Sequence, residues 1–354
     1  MRSLSGSIIF LLVMLALNLY VFQALKTLFA STVGFLLAQM IAVPFFLIDD
    51  IRRLIMWVAS FFRQAAPAAG PGTGISRSVF LSWLGLGLGG GLFGSLLYGF
   101  RNKYNYQVRK VQLAYPQLPE AFKGFKMVHI SDIHSGSFND KAAVLRGVEL
   151  INEQQADVIF FTGDIVNDKA SELEPFLDVF SQLKAPMGVY STFGNHDYGD
   201  YARWASDADK EANLNSLRQM HGHMGWRLLW DEHVLLERKG QQIGVVGVQN
   251  ISGKGRFHSY GNLQKAVEGM PAVPFKVLLS HDPSHWEAEV LKHHSTIDLM
   301  LSGHTHGMQF GVEIPGFRWS PVQWMYKQWA GLYEQSTAVL DLLVILAGWA
   351  FCPK

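Results

Sequence analysis

The first hundred residues are dominated by apolar side chains, which charged residues interrupt at only a few points. Residues 7–25, 32–48 and 79–100 are apolar runs close to the roughly 20 helical residues that cross a bilayer core. Residues 54–62 form a shorter apolar run, which predicts a helix lying in the membrane interface. The pattern predicts about three transmembrane spans and one interfacial helix within residues 1–100.

Charged and small residues set the expected limits of these spans. Asp49, Asp50, Arg52 and Arg53 are expected to end the second span, and the Ala-, Pro- and Gly-rich residues 64–76 predict a flexible linker. The third span is expected to pack closely through its glycines, which are Gly85, Gly87, Gly89, Gly90 and Gly91. Lys and Arg near the span ends divide equally between the two sides, so the positive-inside rule leaves the orientation open.

The pattern changes after a juxtamembrane connector, residues 101–124. Short apolar runs predict six buried strands, which are residues 126–131, 157–162, 188–193, 243–248, 276–280 and 298–302. Apolar positions at helical spacing predict helices over residues 141–154 and 172–183. Strands that alternate with helices indicate a layered α/β fold.

Polar residues of a few types directly follow five of the predicted strands. They are Asp132, His134, Asp164, Asn195, His281, His304 and His306. Because strand ends converge on one edge of a layered α/β sheet, we expect these side chains to meet. Imidazole and carboxylate without thiolate suit two divalent ions such as Mn, Fe or Zn, and two such ions can clamp a phosphoryl group. His196, which Asp197 follows, is a candidate general acid.

Composition narrows the possible partners. The net charge of +1 gives no basic surface for nucleic acid, so a nucleic-acid partner is not expected. The lone Cys352 excludes an intrachain disulfide and leaves oxygen and imidazole as the metal ligands. His129 lies within a predicted strand and is interpreted as a core or second-layer histidine.

The ordered motifs resemble those of the calcineurin-like metallophosphoesterases. The resemblance runs over residues 125–335 and rests on Asp-Ile-His at 132–134, Gly-Asp at 163–164, Gly-Asn-His-Asp at 194–197, Ser-His-Asp at 280–282 and Gly-His-Thr-His at 303–306. Together with the apolar start, it is most similar to the membrane-anchored branch that includes UDP-2,3-diacylglucosamine pyrophosphohydrolases. It implies a β-sandwich flanked by helices, preceded by an N-terminal transmembrane helical region.

The resemblance also implies a role for each residue. One ion would be bound by Asp132, His134, Asp164 and His306. Asp164 would bridge to a second ion held by Asn195, His281 and His304. His196 would donate a proton to the leaving group, oriented by Asp197.

Two features depart from the family pattern. Met308 stands where many relatives have Gly. Residues 336–354 form an apolar stretch that does not align with the family, so the catalytic domain is expected to end at residue 335 and an atypical tail to follow.

The resemblance implies hydrolysis of a phosphoester or phosphoanhydride on a lipid-linked substrate such as UDP-2,3-diacylglucosamine. Lys254 and Arg256 lie in a Gly-rich loop and are expected to meet a diphosphate, with a solvated loop as the alternative. The aromatic residues within 314–333 indicate either a membrane interface or ordinary core packing. The expected location is a cell membrane, crossed several times, with the cytoplasmic side favoured because nucleotide-linked lipids are made there.

Two other functions remain open. One is a broad phosphatase or phosphodiesterase acting on soluble or cell-envelope phosphates. The other is a catalytically silent membrane receptor, against which the intact set of ligands argues.

Overall fold

The computed structural model describes residues 29–61, 77–101, 104–309, 311–314, 317–335 and 338–342. The chain divides into two compact units, Met1–Asn102 and Lys103–Cys352. The first predicted span, residues 7–25, and the predicted linker, residues 64–76, lie outside the described residues, as do residues 343–354 of the tail.

The first unit contains two long helices, α1 (Phe29–Ser60) and α2 (Arg77–Arg101). Each has a stretch long and apolar enough to cross a membrane, Gly34–Ala59 in α1 and Val79–Leu96 in α2.

The sequence-based limit of the second span is wrong, because α1 continues through its charged residues. The Arg52 guanidinium donates to Asp49 at 3.0 Å and that of Arg53 at 2.8 Å, so the charges are compensated within one helical turn. No Gly or Pro lies between residues 49 and 60 to end the helix. The predicted interfacial segment, residues 54–62, is therefore largely the last part of α1.

Of the five α2 glycines that were predicted to pack closely, two face α1. A Cβ added at Gly89 would lie 2.9 Å from the Ala38 carbonyl oxygen, and one added at Gly85 would lie 3.1 Å from the Phe45 Cβ. Among the described residues, no atom lies within 4 Å of a Cβ added at Gly87, Gly90 or Gly91. Glycines four residues apart let two helix backbones approach closely, as expected for membrane helices.

The second unit contains a sandwich of two sheets. The four-stranded sheet is parallel, in the order β1 (Met127–Ile130), β2 (Val158–Phe161), β3 (Val189–Ser191) and β4 (Trp226–Leu228). The six-stranded sheet contains β5 (Glu232–Arg238), β6 (Gln241–Gly247), β7 (Lys276–Leu279), β8 (Leu299–Leu301), β11 (Gly331–Gln335) and β12 (Ala338–Leu342), in the order β11-β12-β8-β7-β6-β5. A separate two-stranded sheet pairs β9 (Val312–Ile314) antiparallel with β10 (Phe317–Trp319).

Side chains that alternate along the strands build three buried layers. In β2, Val158 and Phe160 contact the core between the sheets, while Ile159 and Phe161 contact the helices outside. In β8, Leu299 and Leu301 face the inter-sheet core and Met300 faces outward. Because both faces of these strands are buried, their sequences read as continuous apolar runs.

Helices cover both outer faces of the sandwich. The parallel sheet packs against α3 (Lys141–Asn152), α4 (Leu177–Phe180) and α5 (Asp207–His223). The mixed sheet packs against α6 (Leu263–Val267) and a π-helical segment, Trp286–Val290, which leads into α7 (Leu291–His293). This is the predicted layered α/β fold.

All six predicted strands are present within a few residues of their expected limits. Helix α3 is also confirmed, and the Asp140 carboxylate caps it by accepting from the Ala143 N–H at 2.9 Å. The predicted helix over residues 172–183 is instead two 3₁₀ turns, Ala170–Glu172 and Glu174–Phe176, followed by α4. Pro175 lacks an N–H group and cannot continue a helix begun before it.

The predicted end of the catalytic domain at residue 335 is wrong for the first part of the tail. β12 pairs in parallel with β8, with Val339 opposite Leu299, and antiparallel with β11. β12 lies at the edge of β8, and its backbone provides hydrogen-bond partners for backbone groups of β8 that would otherwise be buried without them. The sandwich therefore extends at least to Leu342.

We expect Gly89→Leu to loosen the packing of α2 on α1, because its side chain must displace the Ala38 backbone. Overpacking of this kind costs about 1–3 kcal/mol, which corresponds to roughly 5- to 150-fold faster amide exchange by local opening. Hydrogen–deuterium exchange of peptides from residues 77–101 measures it. The matched control is Gly91→Leu, and equal exchange in the two variants would contradict the predicted interface.

Candidate metal centre

The predicted ligands lie at the carboxyl-terminal ends of strands from both sheets. Asp132 and His134 follow β1, Asp164 follows β2, and Asn195 follows β3. From the other sheet, His281 follows β7, while His304 and His306 follow β8. The sandwich thus brings the ends of two separate sheets to one edge.

The first group of donor atoms comprises Asp132, His134, Asp164 and His306, with one atom from each lying within 4.8 Å of the others. Nε2 of His306 lies 3.0 Å from Oδ1 of Asp132 and 3.0 Å from Nε2 of His134. Three of the four side chains are buried.

The second group comprises Asp164, His281 and His304, so Asp164 belongs to both groups. Nε2 of His281 lies 3.1 Å from Oδ2 of Asp164. Oδ1 of Asn195 lies 2.7 Å from Nδ1 of His304, which places the seventh predicted ligand beside this group. All seven residues predicted from the sequence therefore come together.

The donor set fits divalent cations. Nε2 of His134 faces Nε2 of His306, and Nδ1 of His304 lies 3.3 Å from Nε2 of His281. Two imidazole lone pairs at such distances repel each other unless a proton or a cation lies between them. Carboxylate, amide and imidazole donors without thiolate suit Mn, Fe or Zn.

The pKa shifts leave most of the predicted ligands in the protonation state that binds a cation. Burial opposes the ionisation of Asp132, but His306 and His281 hold its pKa well below the usual value. Burial lowers the pKa of His134 and that of His304 to about 4, so both are neutral at neutral pH. Burial also disfavours charge on His281, yet Asp164 and Asp132 outweigh it and raise the His281 pKa to about 10.

His196 lies at the rim of the first group, and its ring is held by a backbone carbonyl. Its Nδ1 lies 2.6 Å from the Asn167 carbonyl oxygen, which can only accept, so Nδ1 carries a proton and donates. Its own backbone N–H donates to Oδ1 of Asp164 at 2.9 Å. The His196 and His134 ring centroids are 4.9 Å apart.

The prediction that Asp197 orients His196 is wrong. The Asp197 carboxylate accepts from the backbone N–H groups of Asp164 at 2.7 Å, Ile165 at 2.8 Å and Gly194 at 2.8 Å. Burial and the charge of Asp164 raise the pKa of Asp197 to about 7. Asp197 therefore ties the loop after β2 to the loop after β3, and Asn167 performs the orienting role.

Three residues that orient ligands were not predicted from the sequence. Oδ1 of Asn167 lies 3.1 Å from Nδ1 of His134, the Thr162 carbonyl lies 2.7 Å from Nδ1 of His281, and the Tyr326 hydroxyl lies 3.0 Å from Nε2 of His304. Such partners fix the ring orientation of metal-binding histidines. Thr162 and Asn167 lie within three residues of the Gly-Asp motif, so the sequence could have indicated them. No motif lies near Tyr326 that could have indicated its role.

The predicted substrate-binding residues contact Met325 and Tyr326, which lie beside the second group. Lys254 donates to the Met325 carbonyl and lies over the Tyr326 ring, 4.8 Å from its centroid. Nη1 of Arg256 lies 3.6 Å from Sδ of Met325, and the next residue, Phe257, packs against the His304 ring. A binding role for Lys254 and Arg256 stays a prediction.

Two family profiles match the chain. The family described as Calcineurin-like phosphoesterase matches residues 125–308, which is more than half of the chain. The family described as Probable Calcineurin-like phosphoesterase, transmembrane domain, matches residues 27–103.

The chain is similar to several proteins of related description. It is 30% identical over 236 residues to the Transmembrane protein with metallophosphoesterase domain of Danio rerio, covering 65% of this chain and 50% of that protein. It is 28% identical to the Uncharacterized metallophosphoesterase YkoQ of Bacillus subtilis, covering 59% of this chain and 71% of that protein. The chain thus spans about half the length of the Danio rerio relative.

Among solved structures, the phosphopantetheinyl hydrolase PptH from Mycobacterium tuberculosis aligns with a TM-score of 0.41 and 14% identity, covering 63% of this chain and 91% of that one. The family profiles and the motif geometry agree on the catalytic unit, and the second profile covers both described membrane-length helices. The chain therefore belongs to the calcineurin-like phosphoesterases, with a transmembrane domain preceding the catalytic domain.

Proposed function

We propose that the protein is a binuclear metal-dependent hydrolase that cleaves a phosphoester or phosphoanhydride bond on an amphiphilic, lipid-linked substrate. The observation that carries this proposal is the pair of donor groups that share the Asp164 carboxylate. When bound, two divalent ions activate a water and neutralise charge on the phosphoryl group. Mn, Fe and Zn all fit the donor set.

His196 holds the proton for the leaving group. Because Nδ1 is committed to the Asn167 carbonyl, the protonated imidazole can release a proton only from Nε2. The side chain is only partly buried, unlike most of the predicted ligands beside it, so a leaving oxygen can reach it. A positioned proton donor of this kind typically contributes about 10²–10⁴-fold to the rate.

Exposed apolar side chains at the rim favour an amphiphilic substrate. Tyr201 accepts from the Asn195 amide at 2.9 Å and is 49% exposed, and Met308, two residues beyond His306, is 47% exposed. Trp324 is 75% exposed, and its turn is tied to the Met308 turn by the Ser320 hydroxyl. Exposed apolar groups clustered around a polar site are typical of an interaction surface.

UDP-2,3-diacylglucosamine is the proposed substrate, and it fits both features. Its diphosphate matches two ions together with Lys254 and Arg256, and its acyl chains match the apolar rim. A membrane anchor concentrates such a lipid near the site. This substrate requires a catalytic domain on the cytoplasmic side of a cell membrane, which a reporter fused to the C-terminus tests.

We expect Asp164→Asn to reduce binding at both donor groups, because the carboxylate belongs to each. Elemental analysis should find at most one ion per chain in place of two, with hydrolysis lost. Asp178→Asn is the control, since Asp178 lies at the surface and pairs with Lys141. Two fully occupied ions in Asp164→Asn would refute the bridging role.

We expect His196→Gln to keep its metal content and to lower turnover of an alkyl phosphoester by roughly 10²–10⁴-fold. A substrate with a nitrophenol leaving group should hide most of the defect, because that oxygen leaves without protonation. The exposed His223, changed to Gln, is the matched control. Equal losses on both substrates would argue against a proton donor.

We expect the protein in lipid nanodiscs, given Mn²⁺, to convert UDP-2,3-diacylglucosamine to UMP and the acylated sugar 1-phosphate, and EDTA to abolish the reaction. Trp324→Ala should raise KM for this lipid but not for bis(p-nitrophenyl) phosphate, because only the lipid has chains to bind. If the protein cleaves the simple diester but not the lipid, it is a broad phosphoesterase for soluble or envelope phosphates.

A further inference from the structure

The catalytic unit contains a cavity of about 330 Å³ at the amino-terminal ends of β1 and β8. Met127 of β1 and Leu299 of β8 lie in its wall, so it opens between the two sheets. The metal ligands follow the opposite, carboxyl-terminal ends of the same strands. The cavity is therefore separate from the site described above.

The walls of the cavity are largely apolar. They include Leu113, Phe125, Met127, Phe275, Leu299 and Leu301, which belong to or pack on the core between the sheets. The volume lies near the lower end of the roughly 300–1,000 Å³ of small-molecule sites. One alkyl chain therefore suits the space better than the two chains of a diacyl lipid.

The charged residues that line the cavity all carry positive charge. Arg109, Lys110 and Lys126 contribute to the lining, and none of the described lining residues is acidic. Two carboxylates lie at the same strand ends. Asp157 accepts from the Lys126 backbone N–H and lies 3.7 Å from the Arg238 guanidinium, and Asp298 accepts from the Lys276 backbone N–H and the Gln117 amide. The three cations of the lining are complementary to an anionic head group.

The lining also contains one buried histidine. His129 lines the cavity and is 2% exposed. Its Nε2 lies 2.8 Å from the Thr162 hydroxyl, but its Nδ1 has no hydrogen-bond partner among the described residues. Buried polar groups in native proteins are normally satisfied by protein, water or ligand.

We propose that this cavity binds a single-chain anionic amphiphile. Its alkyl chain lies between the sheets, beside Met127 and Leu299. Its head group lies on Arg109 and Lys110. A carboxylate and a phosphate head group would both pair with these cations. The ligand is therefore either a fatty acid or a lysophosphatidic acid, and the experiment distinguishes the two.

The test is photolabelling of the full-length protein in lipid nanodiscs with alkyl-diazirine fatty acid and with the matching lysophosphatidic acid. Peptide mapping separates labels at the cavity from labels on the membrane helices. We expect labels in residues 104–130 and around Leu299. The head group whose probe labels at the lower concentration identifies the source.

Leu299→Trp fills the cavity and should reduce this labelling by about tenfold or more, the effect of excluding roughly two methylene groups. Since a core substitution can impair folding, the charge reversal Lys110→Glu provides a second variant. It should weaken labelling by the anionic probes but not by an uncharged alkyl-diazirine alcohol. Lys184→Glu, at an exposed site remote in sequence, is its control. Unchanged hydrolysis of bis(p-nitrophenyl) phosphate shows that each variant is folded.

Three results would overturn the proposal. The first is labelling confined to residues 29–101. The second is unchanged cavity labelling in a Leu299→Trp protein that keeps its phosphodiesterase activity. The third is cavity labelling by the anionic probes that Lys110→Glu leaves unchanged.

Discussion

The site depends on the close approach of strand ends from two sheets, and glycine makes that approach possible. A Cβ added at Gly194 would collide with the Asp164 carboxylate and the His281 ring. One added at Gly303 would collide with the Asp132 carboxylate and the Ser131 hydroxyl. The glycines that precede the ligands are therefore a steric requirement, because any larger residue would separate the two sheets at the edge where the donor atoms must meet.

Several of the predicted ligands adopt strained backbone conformations at the edge where the strand ends converge. Five of them have left-handed backbone angles, with φ between 47° and 76°, and they are Asp132, His134, Asp164, His304 and His306. Such a conformation costs a residue other than glycine roughly 1–3 kcal/mol. The inter-sheet core and the hydrogen bonds of Asp197 to the loops after β2 and β3 hold these turns in place. Strain of this kind is typical of preorganised functional sites.

Much of the fold and of the site could be predicted from the sequence, because both faces of the central strands are buried and each apolar run ends in a ligand. The rest depends on contacts between distant segments. Helix α5 buries only Leu217, Met220 and His221, so it lacks a clear apolar stripe. The orienting roles of Asn167 and Tyr326 arise from backbone geometry and from a contact across 22 residues of sequence. Helix α1 continues beyond its charged residues because Arg52 and Arg53 pair with Asp49 within the helix. A count of the charges in the sequence does not reveal this pairing.

A proton on His281 and a cation held by Asp164, His281 and His304 would compete for the same imidazole nitrogen. Without metal, the raised pKa of His281 means that its proton stabilises the fold fully below its ordinary value of 6.5 and that this contribution is lost as the pH rises through about 10. The depressed pKa values of Asp132 and Asp164 act in the opposite sense, because their stabilising charge is lost only as the solution becomes acidic. At neutral pH the metal-free site therefore holds two carboxylates around a protonated imidazole. A cation that binds His281 would have to displace that proton, so we expect metal affinity to rise with pH up to about 10, the pKa of His281.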